Sequence, residues 1–283
     1  NKYEYYHDFE NYLLIGTDAT GNDKNGADYQ GSMADFLMLV IVDKTENTYS
    51  FLQLNRDTMT EVALIDHNGE GEATANIQLC TAHWYGGNRE QSCENTVKSV
   101  KKLLGGIQID GYYELNMSEI PKLNNMVDGV TVTLEDDFSK KYPKMKKGAT
   151  INLDDEQAYA YVHDRYGVGD EENTSRMKRQ QQYMTGFFKK LQEKVKANPN
   201  YANEVFESLQ DVSTTDITIG KISNISNIFA SGTDKGIFEL AGKSKIGQAL
   251  GDEIDHMEFY VNKKAMVSTM SELFGIVEQK NKE

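Results

Sequence analysis

The stretch that decides the fold is FLMLVIVDKTENTYSFLQLNRD, residues 36–57. It begins with an unbroken apolar run over 36–42 and continues, after the polar turn KTENT, with alternating apolar and polar side chains over 49–55. Both patterns are typical of β-strands, the first of a strand that is buried on both faces. The second strand leads directly into a charged pair, Arg56 and Asp57.

A third strand is expected before these two strands in the chain. Residues 11–16, NYLLIG, form a short apolar run, and a loop rich in glycine, asparagine and aspartate separates that run from residue 36. Strands that follow one another so closely along a chain usually lie side by side. We therefore expect all three strands to share one sheet.

The remainder of the chain predicts helices interspersed with strands. Residues 96–104, TVKSVKKLL, carry apolar side chains at helical spacing, and Gly105 and Gly106 are expected to end this helix. Ser118 is expected to open a short helix that ends at residue 126. The further helices are predicted over 153–165, 175–195, 202–210, 220–230 and 263–274, and the further strands over 109–117, 127–135 and 257–261.

These elements, with no internal repeat and no proline-rich linker, predict a single α/β domain with a central mixed sheet flanked by helices. The formal net charge of -14 opposes binding to nucleic acid, whose phosphates attract lysine and arginine. An anionic partner would therefore need a local basic site. No apolar run approaches the roughly 20 residues of a membrane-spanning helix.

The two cysteines, Cys80 and Cys93, leave two alternatives open. A disulfide between them would close a loop of about 14 residues in an oxidising compartment, and two buried free thiols are the other interpretation. The two cysteines do not form the repeated pairs of a structural zinc site, and the five histidines show no recognised zinc-binding spacing.

Two aspartates border the glycine-rich loop between the first two strands. Asp18 ends one strand and Asp35 begins the next, so their carboxylates are expected near the same edge of the sheet. One or two carboxylates together with substrate phosphates form a common magnesium site. The alternative is two ordinary loop aspartates, since aspartate is frequent at turns.

A second group of candidates is positively charged. Arg56 could bind a phosphate through two parallel hydrogen bonds, and Asp57 could orient it, whereas a structural ion pair is the alternative. Arg176 and Arg179 lie on one face near the start of the helix over 175–195, where the helix dipole favours an anion. A solvated helix face is the alternative interpretation of these two arginines.

Taken in chain order, several motifs resemble the LytR-CpsA-Psr family of cell-envelope glycopolymer phosphotransferases, and together they are far more specific than any one alone. These motifs are LLIGTD (13–18), ADFLMLVIVDKTENTYSFLQLNRDT (34–58), YGG (85–87), TVKSVKKLLGGIQIDGYYELNM (96–117), VDGVTV (127–132), AYAYVHDR (158–165) and RMKRQQQ (176–182).

The resemblance implies transfer of an anionic cell-wall glycopolymer from a polyprenyl pyrophosphate carrier to peptidoglycan, with Mg²⁺ as cofactor. It also implies an extracytoplasmic, cell-surface enzyme that is anchored by an N-terminal membrane helix, with an apolar cavity in the domain for the polyprenyl chain. On this basis residues 1–10 are a lead-in after a removed membrane anchor. Residues 11–283 are the catalytic domain, with a core over 11–190 and an α/β extension over 191–283.

The resemblance also implies roles for individual residues. Asp18 and Asp35 would bind magnesium, and Asp57 would orient Arg56. The predicted catalytic residues are Asp35, Arg56, Asp57 and Arg165. The predicted substrate-binding residues are Arg56, His163, Arg165, Arg176, Arg179 and Gln180.

Two positions depart from the family pattern. Met33 stands where the family commonly has an arginine, two residues before Asp35, and His163 stands where the family commonly has the first arginine of an Arg-x-Arg motif. Two fixed positive charges are thus absent. A non-catalytic protein that binds a polyprenyl lipid or an envelope polymer, and a hydrolase of polyprenyl pyrophosphate, therefore remain as alternative functions.

Overall fold

The computed structural model describes residues 3–4, 7–18, 29–275 and 277–278. We number its strands and helices in chain order: β1 (Tyr3–Glu4), β2 (Phe9–Thr17), β3 (Ala34–Asp43), β4 (Thr48–Leu54), β5 (Met59–Ala63), β6 (Thr74–Gln78), α1 (Arg89–Leu103), β7 (Gly111–Asn116), α2 (Ile120–Met126), β8 (Val130–Thr133), β9 (Thr150–Leu153), α3 (Asp155–His163), α4 (Asn173–Ala197), α5 (Tyr201–Ser208), β10 (Ser213–Thr215), α6 (Ile219–Ser231), β11 (Thr233–Glu239), β12 (Gly242–Gly247), β13 (His256–Val261), α7 (Lys263–Phe274) and β14 (Val277–Glu278). Short 3-10 helices cover Leu79–Trp84, Met117–Glu119 and Gln210–Val212.

A six-stranded sheet with the order β10-β7-β2-β3-β4-β11 forms the centre of the fold. Strands β2, β3 and β4 share one sheet, as the sequence predicts, and the structure pairs them antiparallel, whereas β11 pairs parallel to β4. The sheet is therefore mixed, and the predicted α/β class with a central mixed sheet flanked by helices is confirmed. The apolar cavity for a polyprenyl chain stays a prediction.

Strand β3 explains why the apolar run at residue 36 decides the fold. Nearly all of its residues are buried, because side chains on both faces of this strand are covered. On one face Leu37 and Leu39 pack with Leu13 of β2, with Val100 of α1 and with Phe274 of α7. Each fully buried leucine contributes roughly 1.5–3 kcal/mol relative to an exposed one, so this layer stabilises the sheet strongly.

The chain forms two compact units. Unit 1 comprises Asn1–Leu115, Ser213–Lys221 and Gly232–Glu283 and contains the six-stranded sheet. Unit 2 comprises Asn116–Val212 and Ile222–Ser231. Its hairpin of β8 and β9 contributes Val130 and Leu153 to a core that also holds Tyr161, Tyr183 and Phe187 of α3 and α4.

The predicted boundaries, with a core over 11–190 and an extension over 191–283, stay a prediction. The lead-in over 1–10 and the glycine-rich loop after Asp18 fall partly outside the described residues. Among the residues that the structure does describe, no helix combines the length and the apolar composition needed to cross a membrane.

Two helix starts differ from the sequence prediction in the residue that caps them. Helix α1 begins at Arg89, seven residues before the predicted start, because the side chain of Asn88 caps it by accepting a hydrogen bond from the backbone of Gln91 (2.9 Å). Because the first two turns of α1 are mostly polar, the spacing of apolar residues does not indicate this start. Ser118 does not open a helix by its side chain; its backbone N–H donates to the side chain of Asn116 (2.9 Å).

Candidate functional site

The charged pair that follows β4 lies in a tight turn with a fixed backbone. The side chain of Asn55 accepts a hydrogen bond from the backbone N–H of Asp57 (2.9 Å), and its carbonyl accepts one from the N–H of Thr58 (3.0 Å). The carbonyl of Arg56 accepts a hydrogen bond from the N–H of Cys80 (2.9 Å). An asparagine that bonds its own backbone two residues on is a typical turn former, so the local sequence itself presents Arg56.

The guanidinium of Arg56 is the centre of a cluster in unit 1, here called the Arg56 cluster and composed of Met33, Asp35, Arg56, Asp57 and Cys80. Nη1 donates to the carboxylate of Asp35, and Nε lies 3.5 Å from Oδ1 of Asp57. Nη2 donates to the thioether sulfur of Met33 (2.7 Å) and to the thiol sulfur of Cys80 (3.2 Å). The side chain of Arg56 is 15% exposed, so one part of it still reaches the surface.

Protonation within this cluster follows from burial and charge. Burial favours the neutral form of Arg56, but the thiolate form of Cys80 and the carboxylates of Asp35 and Asp57 outweigh burial and raise the pKa of Arg56 above its ordinary value. Burial also raises the pKa of the Cys80 thiol, to about 11, so that this thiol is protonated at neutral pH. Arg56 is therefore a permanent cation held against two carboxylates.

Of the two predicted magnesium ligands, Asp18 directly follows β2 and Asp35 lies in β3, the strand paired with β2. The backbone N–H of Asp18 donates to the carbonyl of Met33 (3.2 Å), two residues before Asp35. The register of the two strands shifts between Gly16 and Thr17, which leaves Asp35 as the extra residue of a β-bulge. A bulge redirects the side chain of its extra residue, and the carboxylate of Asp35 meets Arg56.

The predicted basic residues of unit 2 surround the C-terminal end of α3. The last carbonyl groups of a helix lack partners within the helix, and here side chains of α4 donate to them. Arg179 donates to the carbonyls of Tyr161 (2.9 Å) and Asp164 (2.7 Å), and Gln180 donates to the carbonyl of Val162 (3.0 Å). Positive charge at a helix C-terminus is also favoured by the helix dipole.

Arg179 is almost completely enclosed, with 1% of its surface exposed. Its Nε lies 3.1 Å from Oδ2 of Asp136, and its guanidinium lies over the ring of Phe138 at 5.1 Å. Arg176 is buried as well and donates to the side chain of Asn173 from Nη2 (2.9 Å). A solvated helix face, the alternative interpretation of these arginines, is therefore wrong; their predicted binding of substrate stays a prediction.

The other two residues in this group are more accessible. His163 stacks on Tyr159 with ring centroids 4.6 Å apart, and its Nδ1 lies 3.1 Å from Oδ1 of Asp164. Burial raises the pKa of Asp164, but His163 and the charge of Lys141 outweigh it, so the pKa lies below its ordinary value. Arg165 lies over the ring of its neighbour Tyr166 at 4.6 Å.

The structure thus brings the predicted residues into one group in each unit. Asp35, Arg56 and Asp57 are in contact in unit 1, whereas the residues predicted from 163 to 180 belong to unit 2. No pattern in the sequence indicates Cys80 as a neighbour of Arg56, since the contact joins residues 24 positions apart. Both cysteines are free and buried, so the alternative of two buried free thiols applies and the disulfide does not.

Comparison with known proteins places this arrangement in a family. A model of the LytR_cpsA_psr family matches residues 2–274. The chain belongs to the LytR_cpsA_psr family. The resemblance carried by the motifs is therefore confirmed, and Asp35, Arg56 and Asp57 lie within the matched range.

The relatives in this family include proteins named polyisoprenyl-teichoic acid–peptidoglycan teichoic acid transferase TagU. The one from Bacillus cereus is 29% identical over 178 residues, which are 63% of this chain and 51% of the relative. The one from Bacillus mycoides is 28% identical over the same shares. The chain spans about half the length of the curated relatives it matches.

Solved structures show the same fold. TagV from B. subtilis aligns with a TM-score of 0.70 and 20% identity over 96% of this chain and 99% of TagV. A structure described as TagT bound to LIIa-WTA aligns with a TM-score of 0.66 and 21% identity, over 95% of this chain and 91% of TagT. At these identities the comparison establishes the fold alone.

Proposed function

We propose that this protein transfers an anionic glycopolymer from a polyprenyl pyrophosphate carrier to peptidoglycan. The observation that carries the proposal is its membership of the LytR_cpsA_psr family over residues 2–274, together with relatives named as teichoic acid–peptidoglycan transferases. The Arg56 cluster supports it, because a permanently charged guanidinium beside the surface is suited to pyrophosphate.

The proposed chemistry is a phosphoryl transfer. A sugar hydroxyl of the acceptor attacks the phosphorus that carries the polymer, the P–O bond to the bridging oxygen breaks, and polyprenyl phosphate leaves. Arg56 stabilises the negative charge that develops on the phosphate oxygens, and Asp57 keeps the guanidinium oriented from 3.5 Å. Asp18 or Asp35 accepts the proton of the attacking hydroxyl.

Magnesium is part of this proposal, with Asp18 and Asp35 as its ligands. The donor chemistry fits, because carboxylate oxygens are the ligands Mg²⁺ prefers, and Asp18 directly follows β2 while Asp35 lies in the neighbouring strand β3. When bound, Mg²⁺ would neutralise charge on the pyrophosphate. Asp35 would then bind both Mg²⁺ and the guanidinium of Arg56, since its carboxylate also forms an ion pair with Arg56.

The location of the reaction belongs to the same proposal. Peptidoglycan is outside the cytoplasmic membrane and the lipid carrier is in it, so we propose an extracytoplasmic protein at the cell surface with an N-terminal membrane anchor. The partners are the polyprenyl pyrophosphate-linked glycopolymer and the peptidoglycan acceptor, and an apolar cavity would hold the polyprenyl chain.

Release of polyprenyl phosphate from a polyprenyl pyrophosphate-linked glycan, with and without peptidoglycan acceptor, tests the function. Arg56→Lys keeps the charge but loses the bidentate hydrogen-bonding geometry. It should lower kcat by about 100-fold, which is the typical loss when one hydrogen-bond donor to the transition state is removed. Lys243→Ala removes an exposed charge of unit 1 and should leave kcat unchanged. Full activity of Arg56→Lys would refute the role of Arg56.

The acceptor dependence distinguishes the alternatives. Product that carries the glycan on peptidoglycan supports transfer, whereas polyprenyl phosphate formed at the same rate without acceptor supports a hydrolase. Omission of Mg²⁺, and Asp35→Asn, should each abolish turnover. Turnover that survives both changes would contradict the magnesium proposal.

A second candidate function is binding without chemistry, and the contact between Met33 and Arg56 favours it. The thioether of Met33 accepts a hydrogen bond from Nη2 of Arg56, and Met33 stands where the family commonly has a further arginine. Met33→Arg restores that positive charge. If the wild type binds the lipid-linked glycan but does not turn it over, and Met33→Arg gains turnover, the binding function is supported; equal turnover by both proteins would reject it.

A further inference from the structure

His83, Cys93 and Glu114 meet in the interior of unit 1, and none of them has a part in the proposed transfer. His83 lies in the 3-10 helix Leu79–Trp84, Cys93 in α1 and Glu114 in β7. One ligand atom from each lies within 4.8 Å of the other two. Exposure is 3% for His83, 0% for Cys93 and 5% for Glu114, so this is an enclosed cluster.

The orientation of the His83 ring is that of a metal ligand. Its Nδ1 lies 3.0 Å from the backbone carbonyl of Ser32. Since a carbonyl can only accept, Nδ1 carries a proton, and in the neutral form of the ring the lone pair is then on Nε2, the nitrogen next to Sγ of Cys93. Metal-bound histidines typically donate their other ring N–H to a carbonyl or carboxylate in this way, which fixes the tautomer.

The spacing of the ligand atoms matches a zinc ion. Nε2 of His83 and Sγ of Cys93 are 3.7 Å apart. Bond lengths of about 2.05 Å to nitrogen and 2.3 Å to sulfur at a tetrahedral angle give a separation of about 3.6 Å between these two ligands. The carboxylate of Glu114, within 4.8 Å of both, needs to approach by only about 1 Å.

Charge provides a separate argument. Burying a carboxylate is costly unless it is paired or bound to a metal. Glu114 accepts a hydrogen bond from the neutral hydroxyl of Thr17 (2.8 Å), which solvates the carboxylate but does not balance its charge. One divalent cation would balance one carboxylate and one thiolate, with His83 neutral.

We propose that His83, Cys93 and Glu114 bind one Zn²⁺ ion. A nitrogen, a sulfur and an oxygen donor suit zinc, a borderline-soft ion, and exclude magnesium as the preferred metal. Three protein ligands leave a fourth tetrahedral position for water. The ion links α1 and the helix Leu79–Trp84 to the central sheet, and it does not depend on the transfer proposal.

The test uses the purified 283-residue chain, with Zn²⁺ and then Co²⁺ as probes. The protein as purified should hold one zinc per chain after dialysis, and excess Mg²⁺ should not displace it. After replacement by Co²⁺, the protein should show the intense charge-transfer absorption of a thiolate bound to cobalt. A protein that neither retains zinc nor develops this absorption overturns the proposal and leaves only a hydrogen bond between Cys93 and His83.

Variants identify the ligands. Glu114→Gln can still accept the hydrogen bond of Thr17, and Cys93→Ser is close in size to the native residue; each should lower the affinity for Zn²⁺ by at least about tenfold. Cys80→Ser, which changes the other buried thiol, should bind zinc like the wild type. Zinc should raise the Tm of the wild type and of Cys80→Ser but not that of Cys93→Ser. If Cys80→Ser loses the cobalt absorption and Cys93→Ser keeps it, the assignment is refuted; if Cys93→Ser does not fold, the wild-type absorption still decides.

Discussion

Replacement of Arg179 should make unit 2 much less stable, because this guanidinium donates hydrogen bonds to carbonyls at the C-terminal end of α3. It donates to the carbonyls of Tyr161 (2.9 Å) and Asp164 (2.7 Å) and pairs with Asp136 at 3.1 Å. Lysine carries a single point charge and cannot reach both carbonyls and the carboxylate together. Methionine fills part of the volume and provides no donor at all.

The magnitude follows from these contacts. A hydrogen bond that involves a charged group contributes about 1.5–3 kcal/mol, and Arg179→Met loses two to carbonyls. Removing one partner of a buried ion pair costs about 3–5 kcal/mol, which overlaps with the same loss. We therefore expect Arg179→Met to lower the free energy of unfolding by about 3–5 kcal/mol, and Arg179→Lys by about 2 kcal/mol because one bond and the charge survive.

Urea unfolding followed by far-UV circular dichroism measures this effect, since α3 and α4 contribute much of the helical signal. The matched control is Lys178→Met, which removes the same charge from the exposed neighbouring position of α4 and should change the free energy of unfolding by less than about 0.5 kcal/mol. A free energy of unfolding for Arg179→Met within 1 kcal/mol of the wild type would refute the reasoning. Normal stability with loss of pyrophosphate binding would make Arg179 a substrate ligand instead.

Two further predictions concern unit 1. Burial raises the pKa of Glu10, but the Tyr12 hydroxyl and two lysines outweigh it and lower the pKa from 4.5 to about 2, so its stabilising effect is present above pH 4.5 and is lost as the pH falls toward 2. Glu10→Gln should therefore lower the urea midpoint at pH 6 but hardly at pH 2; the same difference at both pH values would contradict this. In Gly31→Ala the new Cβ would lie 2.0 Å from the His83 carbonyl oxygen, so thermal unfolding should show a loss of about 1–3 kcal/mol, while the uncrowded Gly220→Ala should be neutral or slightly stabilising. An unchanged Tm for Gly31→Ala would show that the backbone there can move at little cost.

The sequence determined the main elements because their signals are local. The apolar run at residue 36 and the alternation after residue 49 became β3 and β4, and the apolar spacing before Gly105 became the second half of α1. The acidic start of the helix at residue 155 became a capping box on Asp154. The ordered motifs also identified the family, which its match over residues 2–274 confirms.

The sequence could nominate site residues but could not assign their partners. Arg56 and Asp57 were recognisable as a charged pair after a strand, and the pair does lie in a turn fixed by its neighbours. The bulge at Asp35 depends on the register of two strands, and the contact of Cys80 with Arg56 depends on how the chain returns to that turn. Neither feature leaves a periodic trace in the sequence.

Only the tertiary structure decided what the buried polar groups do. Arg179 is close to the start of a helix, where a dipole argument favours an anion, yet it is bound to the end of a different helix. His83, Cys93 and Glu114 come from three separate elements and show no metal-binding spacing along the chain. The physical reason is that periodicity and capping act over a few residues, whereas the partner of a buried charge is chosen by register and packing between distant segments.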